Sequence, residues 1–227
     1  PTISATNFFK ALERVDGWEA LPPTIAAHRV QGNADPYHYE KFYDAAATVV
    51  GTLAGKGVTV CQSGYLVFPL NPGYQMTSNY GPRAFVTEGA SLWHAGDDLQ
   101  HYPNPCHDPV FAITDGTVTL LAGYQLSIKS PDGYTVSYLH MYLNEVLVKV
   151  GDQVTAGQQV GATGSNGPST GCHLHLAISV VGNTNAAIAE LPRSESIGGP
   201  SGFVDPEQFY EAFGLTLCAP DSCRRTY

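Results

Sequence analysis

Residues 125–142 read QLSIKSPDGYTVSYLHMY, and this stretch decides the fold class of the chain. Two runs of alternating apolar and polar residues flank Asp132-Gly133, and this dipeptide between two such runs is a strong signal for a β-hairpin. Alternation places successive side chains on opposite faces of a strand, so one face of each strand can be buried. The stretch predicts two adjacent antiparallel strands.

Short apolar runs separated by glycine turns continue on both sides of this hairpin, from residue 65 to residue 182. They lie close together without helical patterns between them, which favours an antiparallel sandwich or barrel. The composition agrees, because 24 glycines, 13 tyrosines and only 14% charged residues are typical of strands and turns. We therefore expect a mainly β fold with an antiparallel sheet, preceded by a short helical N-terminal segment.

Changes in composition and residue pattern along the sequence predict four segments. Residues 1–51 predict helices, residues 52–64 a glycine-rich linker, residues 65–182 the β core and residues 183–227 a C-terminal extension. The extension is expected to be loop as far as residue 205, followed by one short helix over 205–213.

Apolar residues recur at helical spacing near the start of the chain. The first helix is expected to be capped by Thr6 or Asn7, and further helices are expected over 24–30 and 37–50.

The charge balance excludes several functional classes. Eleven lysines and arginines stand against 20 aspartates and glutamates, giving a net charge of −9, which opposes binding to nucleic acid. No run of 18 apolar residues is present, so no membrane-spanning segment is expected. Few charges and many aromatic residues are the opposite of a disordered composition.

Residues 171–181, GCHLHLAISVV, predict a strand that carries His173 and His175. Side chains two residues apart on a strand share one face, so both imidazoles can serve one site. One ring can bind a metal while the other addresses the open position of that metal. Taken alone, a pair of histidines on a half-exposed strand is the alternative.

Residues 94–98, HAGDD, offer an imidazole and a carboxylate, which are common zinc ligands, although Gly-Asp-Asp is also ordinary turn chemistry. His140 lies in an apolar strand, where a buried structural histidine is the alternative. A single metal site that accounts for all of these groups is favoured over three separate structural explanations. Two histidines and a carboxylate suffice for a catalytic zinc site with an open fourth position, and two histidines remain for proton transfer.

The motifs resemble those of the LytM/lysostaphin family of zinc metallopeptidases, which cleave peptide bonds in bacterial peptidoglycan. The family pattern is matched in order by SNYGPR at 78–83, HAGDD at 94–98, YLH at 138–140, a glycine-rich turn at 148–171 and HLH at 173–175. The resemblance covers about half of the chain. Asp97 fills a variable position of the pattern and inherits no role.

The resemblance implies that His94, Asp98 and His175 bind Zn²⁺ and that His140 and His173 are the catalytic histidines. One of these two would take a proton from a zinc-activated water and the other would donate a proton to the leaving amine, in either order. Tyr80 and Tyr138 are further candidates, as hydrogen-bond donors to the oxyanion. Packing within a strand is the favoured alternative for both tyrosines.

The five cysteines indicate in which cellular compartment the protein is located. Relatives with a cysteine just before the His-x-His motif imply a Cys106–Cys172 disulfide, and we discount both residues as zinc ligands because the ligand set is complete without them. Cys218 and Cys223 flank a short turn and can form a local disulfide, which leaves Cys61 over. Two disulfides favour an extracytoplasmic location, whether secreted, periplasmic or associated with the cell wall.

Other functions within this class remain as alternatives. The chain could be a non-catalytic member that binds or regulates a cell-wall partner. It could also be a latent enzyme whose cleft is blocked by residues 1–60 or by a partner, or its substrate could be a glycine-rich protein. A net charge of −9 gives no attraction to polyanionic walls, which favours tethering to other modules of a larger wall-remodelling protein. Residues 17–42 also resemble the helical tail that follows lysozyme-like modules in some wall proteins, which implies an upstream module.

Overall fold

In a computed structural model, the chain is described at residues 2–18, 21–32, 34–39, 66–84, 89–220 and 223–227. It divides into two compact units, Pro1–Ser63 and Gly64–Tyr227.

Two helices are described in the first unit. Helix α1 spans Thr2–Leu12, and helix α2 spans Pro23–Gln31 and ends at Gly32, whose φ is +61°. The bounds of α2 agree with the prediction to within one residue at each end. The prediction that Thr6 or Asn7 caps the first helix is wrong, because both residues lie inside α1, where the backbone N–H is bonded within the helix.

The predicted helix over 37–50 and the predicted linker over 52–64 lie outside the described residues, apart from a turn at 36–39.

The second unit is built from short strands. In chain order they are β1 (Gln75–Ser78), β2 (Gly81–Pro82), β3 (Trp93–His94), β4 (Gly96–Gln100), β5 (Pro109–Phe111), β6 (Gly116–Ala122), β7 (Gln125–Lys129), β8 (Thr135–Leu139), β9 (Gln153–Val154), β10 (Gln159–Ala162), β11 (Leu174–Ser179), β12 (Phe203–Val204) and β13 (Arg224–Arg225). Nine of them form one sheet in the order β13-β1-β4-β11-β8-β7-β6-β9, with β12 added against β11. The pairs β5–β10 and β2–β3 form two smaller sheets.

The pairing within these sheets is antiparallel except between β1 and β13. The predicted mainly β, antiparallel fold is confirmed.

The hairpin predicted around Asp132-Gly133 joins β7 to β8. Gly133 has φ +89° and its N–H donates to the Ser130 carbonyl, which closes the turn. A Cβ on Gly133 would lie 2.2 Å from the carbonyl oxygen of Gly182, so a side chain there would collide with backbone. Glycine is therefore required at this turn for both conformation and space.

The C-terminal extension completes the core of the second unit. Helix α3 spans Pro206–Ala212, as predicted to within a residue, and Phe209 and Tyr210 on it are fully buried. The Tyr210 hydroxyl donates to the carbonyl of Val67 at 2.6 Å. Two short 3₁₀ helices, Ala186–Ile188 and Ser194–Ile197, together with β12, occupy the stretch for which loop was predicted.

Strands β4 and β11 approach each other closely at Gly96. A Cβ there would lie 2.1 Å from the carbonyl oxygen of Leu176, so only glycine fits between these strands. Their register sets His175 directly opposite Asp98 and Leu176 opposite Asp97. The close approach therefore brings residues of two distant motifs side by side.

No helix among the described residues is long and apolar enough to cross a membrane.

Candidate metal centre and catalytic cleft

Three side chains from β3, β4 and β11 converge on one buried point. His94 Nε2 lies 2.9 Å from Asp98 Oδ1 and 2.7 Å from His175 Nδ1. The last two atoms are 3.0 Å apart. The fold thus brings together the three residues predicted as ligands, although 81 positions separate the two histidines along the chain.

The orientation of His94 is fixed by the segment that precedes β2. Its Nδ1 lies 2.8 Å from the Asn79 carbonyl and 3.1 Å from Ser78 Oγ. A proton on Nδ1 that donates to this carbonyl leaves Nε2 with a free lone pair directed at the centre. Both partners belong to the SNYGPR motif, so one structural role of this motif is to orient the His94 ring.

The three donor atoms fit a zinc ion. Two imidazole nitrogens and one carboxylate oxygen form a set that zinc accepts, with a fourth position left open. Their lone pairs converge in a buried place, where they repel one another unless a cation or proton lies between them. Burial lowers the pKa of His175, outweighing its hydrogen bond to Asp98, so the ring is neutral at neutral pH, as a metal ligand must be.

His140 and His173 lie beside this centre, with their ring centroids 4.6 Å apart. His140 Nδ1 lies 2.8 Å from the Asn166 carbonyl, and His173 Nδ1 lies 2.9 Å from the Gly171 carbonyl. In both rings a proton on Nδ1 therefore donates to backbone, which leaves Nε2 as the basic nitrogen. His173 Nε2 is 3.5 Å from Asp98 Oδ1, so it faces the centre.

The environment of His140 favours its neutral form. Tyr124 stacks on the ring with centroids 5.4 Å apart and planes within 4°. Burial lowers the pKa of His140, outweighing the hydrogen bond to Asn166, and the neighbouring His173 lowers it further. Tyr124 lies outside every motif, and its stacking on His140 was not predicted.

Arg83 is a second residue that lies beside the candidate metal centre and was not predicted to do so. Its Nη2 lies 3.8 Å from Asp98 Oδ2, and burial lowers the pKa of its guanidinium. Its Nε is buried and has no hydrogen-bond partner within the described part of the chain. The signal was its position as the last residue of SNYGPR.

Tyr138 is packed inside the sheet, which was the favoured alternative to a role as oxyanion donor. Its side chain is 0% exposed, and its hydroxyl oxygen accepts a hydrogen bond from the Ile113 N–H at 2.7 Å. Tyr138 pairs with Leu176 on the core face of the sheet, whereas His140 follows the end of β8 with φ +72°. This left-handed residue interrupts the alternation that would have put both side chains on one face.

Tyr80 is also engaged away from the histidines. Its hydroxyl donates to the Phe203 carbonyl at 3.3 Å, and its ring packs edge-on against Trp93. Packing, which was the alternative for this residue, describes its environment.

Two disulfides are present in the second unit. Cys106 is bonded to Cys172 across 66 residues, which ties the loop after β4 to the residue that precedes His173. Cys218 is bonded to Cys223 across five residues. Cys61 lies outside the described residues.

Comparison with known proteins gives a consistent family. Residues 94–187 match Peptidase family M23. The peptidoglycan DD-endopeptidase ShyA of Vibrio cholerae is 29% identical over 205 residues, which are 84% of this chain and 46% of that protein. The glycyl-glycine endopeptidase ALE-1 of Staphylococcus capitis is 35% identical over 109 residues, which are 45% of this chain and 28% of that protein. The chain thus spans less than half the length of these curated relatives.

Solved structures similar to parts of this chain were also found. The catalytic domain of lysostaphin from Staphylococcus simulans is 29% identical with a TM-score of 0.46, over 60% of this chain and 91% of that one. A chain of the SpoIIQ–SpoIIIAH pore-forming complex gives a TM-score of 0.50 at 17% identity, over 68% of this chain and 92% of that one. The second likeness is one of fold.

Proposed function

This chain contains a domain of Peptidase family M23, the LytM/lysostaphin family, and on that premise we propose that it is a zinc-dependent endopeptidase that hydrolyses peptide bonds in bacterial peptidoglycan. The observation that carries the proposal is the convergence of His94, Asp98 and His175, with two further histidines beside them. An enzyme needs both parts, because ligands alone would make only a structural metal site.

In this proposal His94 Nε2, Asp98 Oδ1 and His175 Nδ1 hold the zinc ion. When bound, zinc supplies a Lewis acid that activates water and polarises the scissile carbonyl. Arg83 Nη2 lies 3.8 Å from Asp98 Oδ2, so a guanidinium stands beside this proposed ligand. The Asn79 carbonyl fixes the tautomer of His94, so the lone pair on Nε2 is available before metal binds.

His140 and His173 carry the proton transfers. Each holds its Nδ1 proton against a backbone carbonyl and presents Nε2, so each can accept a proton from water or donate one to the leaving amine. When protonated, either ring can also donate a hydrogen bond to the developing oxyanion. The two rings are close enough to act on the two sides of one scissile bond.

The substrate class and location follow from the relatives and the cysteines. The relatives are named as peptidoglycan DD-endopeptidases and a glycyl-glycine endopeptidase, so both stem-peptide bonds and cross-bridge bonds are candidates. Two disulfides suit an oxidising, extracytoplasmic compartment. Because the net charge is −9, we further propose that tethering to other modules, rather than electrostatic attraction, delivers the domain to an anionic wall.

The test is a digest of purified peptidoglycan of several cross-link types, read by mass spectrometry with and without a chelator. New amine and carboxyl termini that disappear with the chelator and return with added zinc would support the proposal and identify the bond. Intact sacculi, treated with protein shown to carry one zinc per chain, would contradict it. A repeat with residues 1–60 deleted would then separate a latent enzyme from a non-catalytic binding protein.

A further inference from the structure

Asp97 is a buried carboxylate on the face of β4 opposite to Asp98. Adjacent residues of a strand point to opposite faces, so Asp97 lies on the core side, where it pairs with Leu176. The side chain is 0% exposed. Its Oδ1 accepts a hydrogen bond from the Tyr80 N–H at 2.8 Å, but its Oδ2 has no partner among the described residues. A buried polar oxygen without a partner is unfavourable and requires an explanation.

Two more carboxylates lie close to Asp97. Asp205 and Glu207 lie at the start of α3, and one oxygen from each of the three acidic residues lies within 4.8 Å of the others. Asp205 also accepts a hydrogen bond from the Glu207 N–H at 2.8 Å. Three like charges at this separation repel one another unless a positive charge lies among them.

A neighbouring cation supplies only part of that charge. Arg225 forms a two-pronged ion pair with Glu207. Within the described part of the chain, it forms no ion pair with Asp97 or Asp205. When all three carboxylates are ionised, they and one guanidinium carry a net charge of −2. A carboxylate oxygen has more than one lone pair, so Glu207 can serve Arg225 and a second cation together.

We propose that Asp97, Asp205 and Glu207 bind a calcium ion on the face of β4 opposite to the zinc centre. The donors are all oxygens, which hard cations prefer, in contrast to the imidazoles of the zinc centre. Calcium–oxygen distances of about 2.3–2.6 Å allow two ligand oxygens to lie up to about 5 Å apart, and the cluster meets this limit. The ion gives Asp97 Oδ2 its missing partner and cancels the net charge of −2.

The test measures thermal unfolding of the whole, zinc-loaded chain as calcium is added after treatment with a calcium-selective chelator. Wild type is expected to gain about 5 °C or more at a hundredfold excess of calcium over its Kd. Asp97→Asn and Asp205→Asn are expected to lose this gain. Both variants should fold, because the amide oxygen introduced by Asp97→Asn can still accept from the Tyr80 N–H, and asparagine is as good a helix cap as aspartate. Glu211→Gln is the matched control, since it removes one charge from the same helix outside the cluster.

Terbium gives an independent readout, because it occupies calcium sites and its luminescence is sensitised by nearby aromatic residues such as Tyr80. Sensitised emission in wild type and in Glu211→Gln, but not in Asp97→Asn, is the expected result. The proposal is overturned if calcium does not shift unfolding of wild type, or if Asp97→Asn keeps the full shift. It is also overturned if the shift disappears in His175→Ala, because calcium would then occupy the other centre. None of these results depends on peptidase activity.

Discussion

Asp98 on β4 lies directly opposite His175 on β11, and Asp98 Oδ1 is 3.0 Å from His175 Nδ1. This relationship is made by the sheet, because the antiparallel register of two central strands places the carboxylate of one motif against the imidazole of another. Gly96, two residues before Asp98, lets the strands approach. The geometry of the metal centre therefore depends on backbone packing as much as on the ligands.

Replacing Gly96 with alanine should disturb this packing. The new Cβ would lie 2.1 Å from the Leu176 carbonyl oxygen, which is backbone and cannot move aside alone. We expect a loss of roughly 1–3 kcal/mol in the free energy of unfolding, together with weaker zinc binding. Urea denaturation and zinc titration measure the two effects. Gly171→Ala is the control, since a Cβ there meets nothing within 4 Å and stability should change by less than about 0.5 kcal/mol.

Removing a proposed ligand should remove the zinc. Asp98→Asn keeps the shape of the side chain but replaces a charged oxygen at the centre, and His175→Ala deletes a donor nitrogen. We expect the zinc content after dialysis to fall from one per chain to near zero in His175→Ala, and affinity to fall at least tenfold in Asp98→Asn. Metal analysis by mass spectrometry checks both. His101→Ala should retain full zinc, because His101 pairs instead with Asp108 and Asn71.

Substitution of His140 and His173, the proposed catalytic histidines, should separate chemistry from metal binding. His140→Ala and His173→Ala are each expected to lower kcat about 10²–10⁴-fold while zinc content stays at one per chain, since neither ring is in the ligand set. The double variant should lose little more than the worse single variant, because the two groups act as a unit. Kinetics on a defined cross-linked peptide, with metal analysis of every sample, gives both quantities. Loss of zinc in either single variant would mean that the ring is a ligand.

The pKa of His140 should depend on the Tyr124 ring that stacks on it. Burial lowers that pKa below the ordinary value for histidine of about 6.5, so the ring is neutral at neutral pH and becomes charged only in more acidic solution. Tyr124→Ala removes the stacked ring and admits water, which favours the charged form and should raise the pKa toward 6.5. NMR titration of the imidazole in the zinc-loaded protein measures both values. An unchanged pKa in the variant would show that Tyr124 does not shield His140.

The sequence was sufficient for features that depend on pattern. Alternating runs around Asp132-Gly133 predict the β7–β8 hairpin, and the ordered motifs select the three residues that converge at the metal centre. Features that depend on a single backbone angle, or on packing between residues far apart in the chain, could not be predicted from the sequence. The φ of +72° at His140 separates it from Tyr138, although a strand pattern places them on one face. Asp97 occupies a variable position of the family pattern, and only the fold shows that α3 brings two more carboxylates to it.

The Cys106–Cys172 disulfide should contribute more to the free energy of unfolding than the Cys218–Cys223 disulfide. In the chain-entropy model, closing 66 residues stabilises by about 4 kcal/mol and closing five residues by about 2 kcal/mol. We therefore expect the double variant Cys106→Ser, Cys172→Ser to lose roughly 2 kcal/mol more than Cys218→Ser, Cys223→Ser in urea denaturation. Double variants are needed because a single substitution would leave a reactive unpaired thiol.

The same pair of variants tests the placement of His173, which follows Cys172 directly. Without the long disulfide, the loop after β4 no longer restrains the residue before His173, so kcat should fall while zinc content stays constant, because the proposed ligands lie on strands β3, β4 and β11. The short disulfide lies in the C-terminal extension, and its loss should leave kcat unchanged. Equal kcat in the two double variants would mean that the sheet alone positions His173.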